Sequence, residues 1–292
     1  MEKDYDKDNL KNILDDLISG FEGNASIYVK DTKSGDVYEI NSDRRYHAAS
    51  VIKVSLMYDA LLQVQRGQLC LDDKYTLKNE DIVGGSGVLQ LMTPGTEFTL
   101  KDLIALMIDI SDNTATNMLH DILNKDNVNN SLQQLGLYNT KFARKLMIVD
   151  PTGSYSYTTA RDTAVLLNEF IEYNNLHKEY ADLGLEILYK QQYNDKISRD
   201  LILCSNCNEI IGQNNICPSC GTKTWNINAE EIPFAHKTGG ITATIHDAGI
   251  LKVKDRNIII VCLTDMIRNN DEANKIHKEL GKAVYKYFLN LA

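Results

Sequence analysis

The chain has 292 residues, of which 43% are hydrophobic, and its 31 Lys and Arg against 40 Asp and Glu give a formal net charge of −9. A chain of this length and composition can bury a full core in one large domain or two joined domains, so neither a disulfide scaffold nor a disordered chain is needed to explain it. The acidic balance argues against nucleic acid and anionic membranes as partners, because phosphate contacts need clustered Lys and Arg. The expected partners are small molecules or other proteins.

The hydrophobic patterning predicts strands near both ends of the chain and helices between them. The predicted elements in chain order are a helix over 5–20, hairpin strands at 25–30 and 36–40, a mostly helical stretch from 50 to about 190, strands at 246–253 and 257–264, and a closing helix from about 271 to 291. This order predicts an α+β fold, in which one antiparallel sheet built from both chain ends is flanked by the terminal helices and carries an inserted all-helical domain.

The same pattern predicts the domain boundaries. Residues 1–45 and 232–292 are expected to form the sheet domain, and residues 46–200 the helical domain. Residues 201–224 are expected to form a small insertion that looks like a zinc ribbon.

Four of the six cysteines lie in this insertion as two Cys-x-x-Cys pairs, Cys204 with Cys207 and Cys217 with Cys220. Two such pairs can converge on one tetrahedral ion, so a structural Zn²⁺ is the expected cofactor, with iron as the minor alternative. Two disulfides or free thiols are the remaining alternative. Because all four ligands would be cysteines, no coordination position is left for water, and a catalytic metal is not expected.

The start of the chain, from Met1 to Asp8, is highly charged and does not read as a secretory signal. The longest apolar runs, such as residues 258–263, are far shorter than the roughly 20 residues that span a bilayer. We therefore expect a cytoplasmic protein with no membrane partner, or an exported one if a leader has been removed. The other two cysteines, Cys70 and Cys262, have apolar neighbours and are expected to be small core residues.

Three short motifs carry the chemistry: Ser50-x-x-Lys53, Ser111-Asp112-Asn113 and Lys237-Thr238-Gly239. Ser50 and Lys53 lie three positions apart and share one face of a helix, which places an amine beside a hydroxyl that is otherwise a poor nucleophile. Lys53 can act as the base if burial and a neighbouring cation lower its pKa. Alone, each motif would be read as a helix cap or a polar turn.

Together, and in this order, the motifs resemble the class A branch of the serine β-lactamase and penicillin-binding protein superfamily. The flanking segments 85–89, 94–96 and 111–117 fit the same pattern, and the resemblance covers roughly residues 20–290 apart from the cysteine segment. It implies a β-lactamase-like serine hydrolase that forms an acyl-serine with a small-molecule substrate and uses no cofactor for catalysis.

The resemblance implies a role for each motif residue. Ser50 is the nucleophile and Lys53 its base, while Ser111 relays a proton and Asn113 binds the substrate's amide carbonyl. The residues of the third motif would bind substrate on a strand that lines the cleft: Lys237, Thr238 and Gly239. The Gly240 N–H would complete the oxyanion hole with that of Ser50.

Two features depart from the family pattern. The stretch 144–153, where class A enzymes carry a Glu that activates the deacylating water, contains no Glu, and its one carboxylate, Asp150, is a doubtful substitute. Glu169 does not match the motif either. The family's substrate-binding Arg also has no match near His246, which we expect to be structural. Acylation is therefore better supported than rapid deacylation.

Several functions stay open from the sequence. The leading interpretation is hydrolysis of a β-lactam or a related amide or ester. The alternatives are a D-alanyl-D-alanine peptidase or esterase, and a penicillin-binding or sensing module without a catalytic cycle. The ribbon is expected to tie down a long loop, with a rim of the cleft or a protein partner as its other roles.

Overall fold

The computed structural model describes residues 7–149, 151–214, 216–223 and 229–291. Within these residues the helices are α1 (Lys7–Ile18), α2 (Lys53–Gln65), α3 (Leu100–Asp109), α4 (Asn113–Leu123), α5 (Lys125–Gln134), α6 (Ala160–Glu172), α7 (Lys178–Tyr189) and α8 (Asn270–Asn290). The strands are β1 (Asn24–Asp31), β2 (Val37–Ile40), β3 (Tyr46–His47), β4 (Lys74–Thr76), β5 (Glu97–Thr99), β6 (Tyr157–Thr158), β7 (Ile202–Cys204), β8 (Ala229–Glu231), β9 (Phe234–Ile241), β10 (Thr244–Val253) and β11 (Arg256–Asp265).

The main sheet has the strand order β2-β1-β11-β10-β9, and every neighbouring pair is antiparallel. The N-terminal hairpin thus pairs with the C-terminal strands, as the α+β prediction requires. The helices between them form the second part of the fold. The predicted fold class is confirmed.

Both faces of the sheet are covered, and β11 shows how its side chains divide. Val261 and Leu263 point into the larger core, which the helices between the two halves of the sheet build. Ile260 and Cys262 point the other way, into a core shared with α1 and α8. Successive side chains of a strand alternate between faces, so a continuous apolar run is the pattern of a strand buried on both sides.

Helix α2 runs through the middle of the larger core. Its residues from Lys53 to Gln63 are all buried, which fits a helix surrounded by protein rather than one with a solvent face. The N-terminal end of α2 packs against β9 and β10 through the 3-10 turn Ala49–Ile52. The junction between the sheet edge and the helical part is therefore at the start of α2.

The two isolated cysteines behave differently. Cys262 is fully buried, as predicted, whereas Cys70 is exposed, so its prediction as a core residue was wrong. Cys70 lies in a turn after α2, where its backbone N–H donates to Asp73 Oδ2 at 2.9 Å. Among the described helices none combines the length and the apolar character needed to cross a membrane.

Candidate active site

Ser50 lies in the 3-10 turn that leads into α2. The residue before it, Ala49, has a φ of +45°, and its backbone N–H donates to His47 Nδ1 at 3.0 Å. A left-handed alanine is strained and persists only where its surroundings fix it. Ser50 is half-buried and lines a cavity of about 740 Å³. The turn therefore places a serine at a helix N-terminus beside open space.

Lys53 connects the first motif to the second. Its side chain is fully buried, and its Nζ donates to the Ser111 carbonyl oxygen at 2.7 Å, to Ser111 Oγ at 3.0 Å and to Asn113 Oδ1 at 2.9 Å. Burial, together with the positive charge of Lys237, holds the pKa of Lys53 well below 10.5, while Asp112 opposes this shift. An amine with a lowered pKa spends part of its time neutral and can then accept a proton.

The second motif is held by the glycine-containing loop that precedes α3. Asp112 caps α4 by accepting from the Ala115 N–H at 2.9 Å, and its other oxygen accepts from the N–H groups of Val88 and Leu89 at 2.7 and 2.8 Å. A Cβ on Gly87 would lie 2.3 Å from the Asp112 carboxyl, so only glycine fits there. This packing fixes the start of α4, where Asn113 and Ser111 face Lys53.

The third motif lies on β9 at the edge of the main sheet. A Cβ on Gly239 would lie 3.1 Å from the backbone nitrogens of both Ser50 and Val51, so the strand passes directly against the serine turn. Gly240 follows and lines the same cavity as Ser50. This placement allows the N–H groups of Ser50 and Gly240 to face one ligand oxygen, the arrangement that an oxyanion hole needs.

Lys237 lies behind this strand rather than in the cavity wall. Its side chain is fully buried and its Nζ donates to the Thr238 carbonyl oxygen at 3.0 Å. Burial lowers the pKa of Lys237 to about 7, although Asp247 and Asp109 oppose the shift. Thr238 is also buried, and neither residue lines the cavity.

The wall opposite β9 is the loop that follows Phe142. Asn117, on α4, binds Leu146 of this loop with both ends of its amide: Nδ2 donates to the Leu146 carbonyl at 3.0 Å and Oδ1 accepts from its N–H at 2.7 Å. Leu146 lines the cavity together with Ser50 and Asn113. An apolar residue therefore lines the same cavity as Ser50.

A sequence profile of the β-lactamase enzyme family matches residues 9–288. The chain belongs to this family. It is 22% identical over 278 residues to the D-alanyl-D-alanine carboxypeptidase DacF of Bacillus subtilis, a match that covers 89% of the chain and 68% of that protein. It is 29% identical to the β-lactamase SME-1 of Serratia marcescens over 103 residues, or 35% of each chain.

Solved structures agree with this assignment. A β-lactamase from Sphaerobacter thermophilus superimposes with a TM-score of 0.81 at 25% identity, covering 98% of this chain and 99% of that one. The penicillin-binding protein PBP-A superimposes with a TM-score of 0.79 at 24% identity, covering 97% and 96%, which shows the shared fold. This β-lactamase-family protein is therefore a serine hydrolase of the β-lactamase type.

Two side chains considered from the sequence lie away from the cavity of this family member. Glu169 is buried on α6, where its carboxylate accepts from the backbone and side-chain N–H groups of Asn175. His246 is fully buried and donates from Nε2 to the His47 carbonyl at 2.9 Å, which supports a structural role. Asp150 lies outside the described residues. No Asp or Glu is found among the described residues that line the cavity.

The four ribbon cysteines converge on one point. All four Sγ atoms lie within 4.8 Å of one another, with Cys204 to Cys220 at 3.6 Å and Cys207 to Cys217 at 3.5 Å. A tetrahedral Zn²⁺ with bonds of about 2.3 Å needs sulfur–sulfur edges of about 3.8 Å, so the donor set fits this ion in kind and in spacing.

The two Cys-x-x-Cys turns have the same backbone shape. The N–H of Asn208 donates to the Cys204 carbonyl at 2.8 Å, and the N–H of Gly221 donates to the Cys217 carbonyl at 2.9 Å. Both Asn208 and Gly221 have positive φ, as a tight turn around two thiolates requires. This repetition supports one shared metal site.

Sequence reasoning missed two parts of the site. Asn117 and Leu146 received no role, although Asn117 lies four residues after Asn113 and so near it on the same face of α4. The buried pair His236 and Asp247, joined at 2.8 Å, was also missed; it lies next to Lys237 and binds Asn194 from the segment before the ribbon. The helical spacing gave a signal for Asn117, but nothing local pointed to the His236 pair.

Proposed function

We propose that this protein forms an acyl-enzyme by attack of Ser50 Oγ on the carbonyl carbon of a β-lactam or a related amide or ester. The proton of the Ser50 hydroxyl passes to Lys53 and, through Ser111, to the leaving nitrogen or oxygen. The new Ser50 Oγ–carbon bond forms as the carbon–nitrogen or carbon–oxygen bond breaks. The observation that carries the proposal is the buried Lys53 amine, one helical turn after Ser50 and within 3.0 Å of Ser111 Oγ and 2.9 Å of Asn113 Oδ1.

Substrate binding in this proposal uses the residues predicted from the motifs. Asn113 lines the cavity, and its Nδ2 donates one N–H to the Gly84 carbonyl at 3.2 Å and offers the other to a ligand carbonyl. Ser50 and Gly240 supply the oxyanion-hole N–H groups. Lys237, Thr238 and Gly239 hold the strand in position, and the protonated form of Lys237 attracts a substrate carboxylate from behind the strand.

Deacylation is proposed to be slow. Water attack on the acyl-serine needs a base, and the described wall beside Ser50 presents Leu146 instead of a carboxylate. A structural neighbour, the Leu-to-Glu mutant of PBP-A, forms an acyl-enzyme complex with penicillin G, and this neighbour at 24% identity and a TM-score of 0.79 supports the proposed acylation. A long-lived adduct would make the protein a penicillin-binding or sensing module.

A D-alanyl-D-alanine peptidase is the second candidate. It is favoured by the relative DacF, which matches this chain over 89% of its length. The acylation chemistry is the same, because a peptide and a β-lactam both present an amide carbonyl to the serine. The two candidates differ in how fast water releases the acyl group and in which leaving group is accepted.

The experiment is intact-protein mass spectrometry after mixing with penicillin G, followed over time. We expect the wild type to gain the mass of one penicillin, and Ser50→Ala to gain none. Ser19→Ala, an exposed serine outside the site, is the matched control and should react like the wild type. Parallel assays with a chromogenic cephalosporin, a D-alanyl-D-alanine peptide and an ester separate the candidates. No adduct and no turnover with any of these compounds would refute the proposal.

We further propose that Cys204, Cys207, Cys217 and Cys220 hold a structural Zn²⁺. The spacing of the four sulfurs and the paired turns support it. With four thiolates the ion has no open position, so it would stabilise the ribbon and take no part in the reaction. A protein partner at the ribbon and a cytoplasmic location stay predictions.

A further inference from the structure

The chain between α7 and the ribbon runs along the C-terminal end of α3, which leads directly into Ser111. The last carbonyl groups of a helix have no partner within the helix and need donors from elsewhere. Three consecutive residues supply donors to three consecutive carbonyl oxygens: Gln191 Nε2 to Ile108 at 2.8 Å, the Gln192 N–H to Asp109 at 2.9 Å, and the Tyr193 hydroxyl to Ile110 at 3.3 Å. This connection therefore holds the three residues that precede Ser111.

Ser111 depends on such support, because its backbone is left-handed, with a φ of +56°. A residue other than glycine is strained in this conformation, which persists only where the surrounding structure fixes it. Ser86 contacts both sides of the turn: its Oγ donates to the Ile110 carbonyl at 3.0 Å, and its own carbonyl accepts from the Asn113 N–H at 3.0 Å. The Tyr193 hydroxyl lies 3.1 Å from Ser86 Oγ. One tyrosine hydroxyl thus faces both Ser86 and the Ile110 carbonyl.

The position of Tyr193 is itself fixed by its neighbours in the chain. Its N–H donates to Gln191 Oε1 at 3.0 Å. The next residue, Asn194, has its Oδ1 2.9 Å from His236 Nε2, and His236 directly precedes Lys237 on β9. Tyr193 is therefore held between the end of α3 and β9, which lead to the second and third motifs.

We infer that Tyr193 is a positioning residue for the acylation step. Its hydroxyl holds Ser111 where Ser111 Oγ can pass the proton of the Ser50 hydroxyl to the leaving group. This inference rests on the proposed function. Tyr193 is not one of the described residues that line the cavity, so it acts through Ser86 and Ser111 rather than by touching the substrate.

The need for this proton differs between leaving groups. A β-lactam nitrogen leaves poorly as an anion and takes up a proton as its bond to carbon breaks, whereas p-nitrophenolate leaves without one. Displacing Ser111 should therefore slow acylation by penicillin G more than acylation by p-nitrophenyl acetate. A general loosening of the site would slow both equally, because Ser50 Oγ attacks the carbonyl carbon in both compounds.

The test measures the rate of Ser50 acylation by both compounds with intact-protein mass spectrometry, and Ser50→Ala gives the background from other nucleophiles. Tyr193→Phe should reduce the ratio of the penicillin G rate to the p-nitrophenyl acetate rate about fivefold, which corresponds to about 1 kcal/mol, the size of one hydrogen bond. Tyr138→Phe, at a tyrosine that is 71% exposed and outside the site, is the matched control and should leave the ratio unchanged.

Phenyl acetate provides a second comparison with the acyl group held constant. It places the same acetyl group on Ser50 as p-nitrophenyl acetate but has a poorer leaving group. We expect Tyr193→Phe to slow acylation by phenyl acetate more than acylation by p-nitrophenyl acetate. The melting temperature of Tyr193→Phe, whose tyrosine is 41% exposed in the wild type, should stay near that of Tyr138→Phe.

The outcomes separate the two proposals. Absence of any Ser50 adduct in the wild type with all three compounds would refute the proposed function itself. Adducts that form in Tyr193→Phe at wild-type rates, or that are slowed by the same factor for all three compounds, would overturn only the inference about Tyr193.

Discussion

At the scale of single residues, the site depends on two lysines buried without a carboxylate hydrogen-bond partner in the described structure. Lys53 binds only carbonyl, hydroxyl and amide oxygens, and Lys237 binds the Thr238 carbonyl. A buried ammonium in such surroundings is costly, so both groups release their protons more easily than an exposed lysine. In the proposed mechanism the resulting neutral amine of Lys53 is the base for Ser50.

The first prediction concerns the effect of Lys237 on stability. Its folded-state pKa is about 7 and its ordinary value is 10.5, so between these pH values the unfolded chain binds a proton that the folded protein lacks. The contribution of Lys237 to the free energy of unfolding therefore rises with pH across this window, by at most about 1.4 kcal/mol per pH unit, and is lost as pH falls through 7.

Urea unfolding of the wild type and of Lys237→Met at pH 7.5, 8.5 and 9.5 measures this effect. We expect the stability of the wild type to rise with pH relative to the variant, since Met has no proton to lose. Lys101→Met, at an exposed lysine, is the control and should keep the wild-type slope. Parallel pH profiles for the wild type and Lys237→Met would show that Lys237 stays charged in the folded protein.

The candidate catalytic residues could be proposed from the sequence because their motifs are local. Ser50 and Lys53 share a helix face, and the type and order of the three motifs indicated their chemistry. The left-handed backbone of Ser111, with φ of +56°, was not predictable, because it depends on packing against the loop at Gly87. The contact of His236 with Asn194 was also hidden, because the two residues lie 42 positions apart in sequence.

At the scale of elements, we expect the loop from Phe142 to Tyr157 to set how long an acyl-serine survives. Its position is set by Asn117, which fixes the backbone of Leu146 and so determines which side chain lines the cavity beside Ser50. The sequence showed that this stretch lacks a Glu. It could not show which residue lines the cavity in its place, because that depends on contact with α4.

The second prediction is that Leu146→Glu shortens the lifetime of the penicilloyl-Ser50 adduct. A carboxylate at this wall can take a proton from the attacking water, and general-base catalysis typically contributes about 10²–10⁴-fold. The decay of the adduct is followed by mass spectrometry after excess penicillin has been removed.

Leu146→Gln is the matched control, because it has the same size and polarity change without a base. It should keep the long lifetime of the wild-type adduct. Equal lifetimes for the Glu and Gln variants would mean that Leu146 does not lie where the deacylating water attacks.

The elements that sequence patterning located best are those of the main sheet. Strands β10 and β11 were predicted within two residues, because their apolar runs are bounded by polar turns. One sheet built from both chain ends was predicted, and the structure adds that β1 pairs with β11. The 3-10 turn at Ala49–Ile52 and its strained alanine could not be predicted, since alanine has no local preference for positive φ.

At the scale of the whole molecule, the ribbon is connected to both β9 and the last helix, α8. Strand β8 pairs with β7 and leads through Pro233 directly into β9, which carries Lys237. On the other side, Lys286 of α8 forms an ion pair with Glu209 at 3.2 Å. Ile232 and Leu201 at the base of the ribbon belong to the core that α1 and α8 share.

The last prediction follows from these connections: metal removal should loosen the ribbon and destabilise the molecule. Treatment with a chelator under reducing conditions should release about one equivalent of zinc, measured by elemental analysis, and Cys220→Ser should lack this zinc. In both cases proteinase K, added after any chelator has been removed, should cut within residues 201–223. The melting temperature should fall by several degrees, since about 1 kcal/mol shifts it by about 2–4 °C in a domain of this size.

Cys70→Ser, at the exposed cysteine outside the cluster, should retain the metal and the wild-type melting temperature. Loss of metal with unchanged cleavage and melting would show that the ribbon is held by its packing at Leu201 and Ile232 alone. A protein that binds no metal when produced with zinc would refute the metal site.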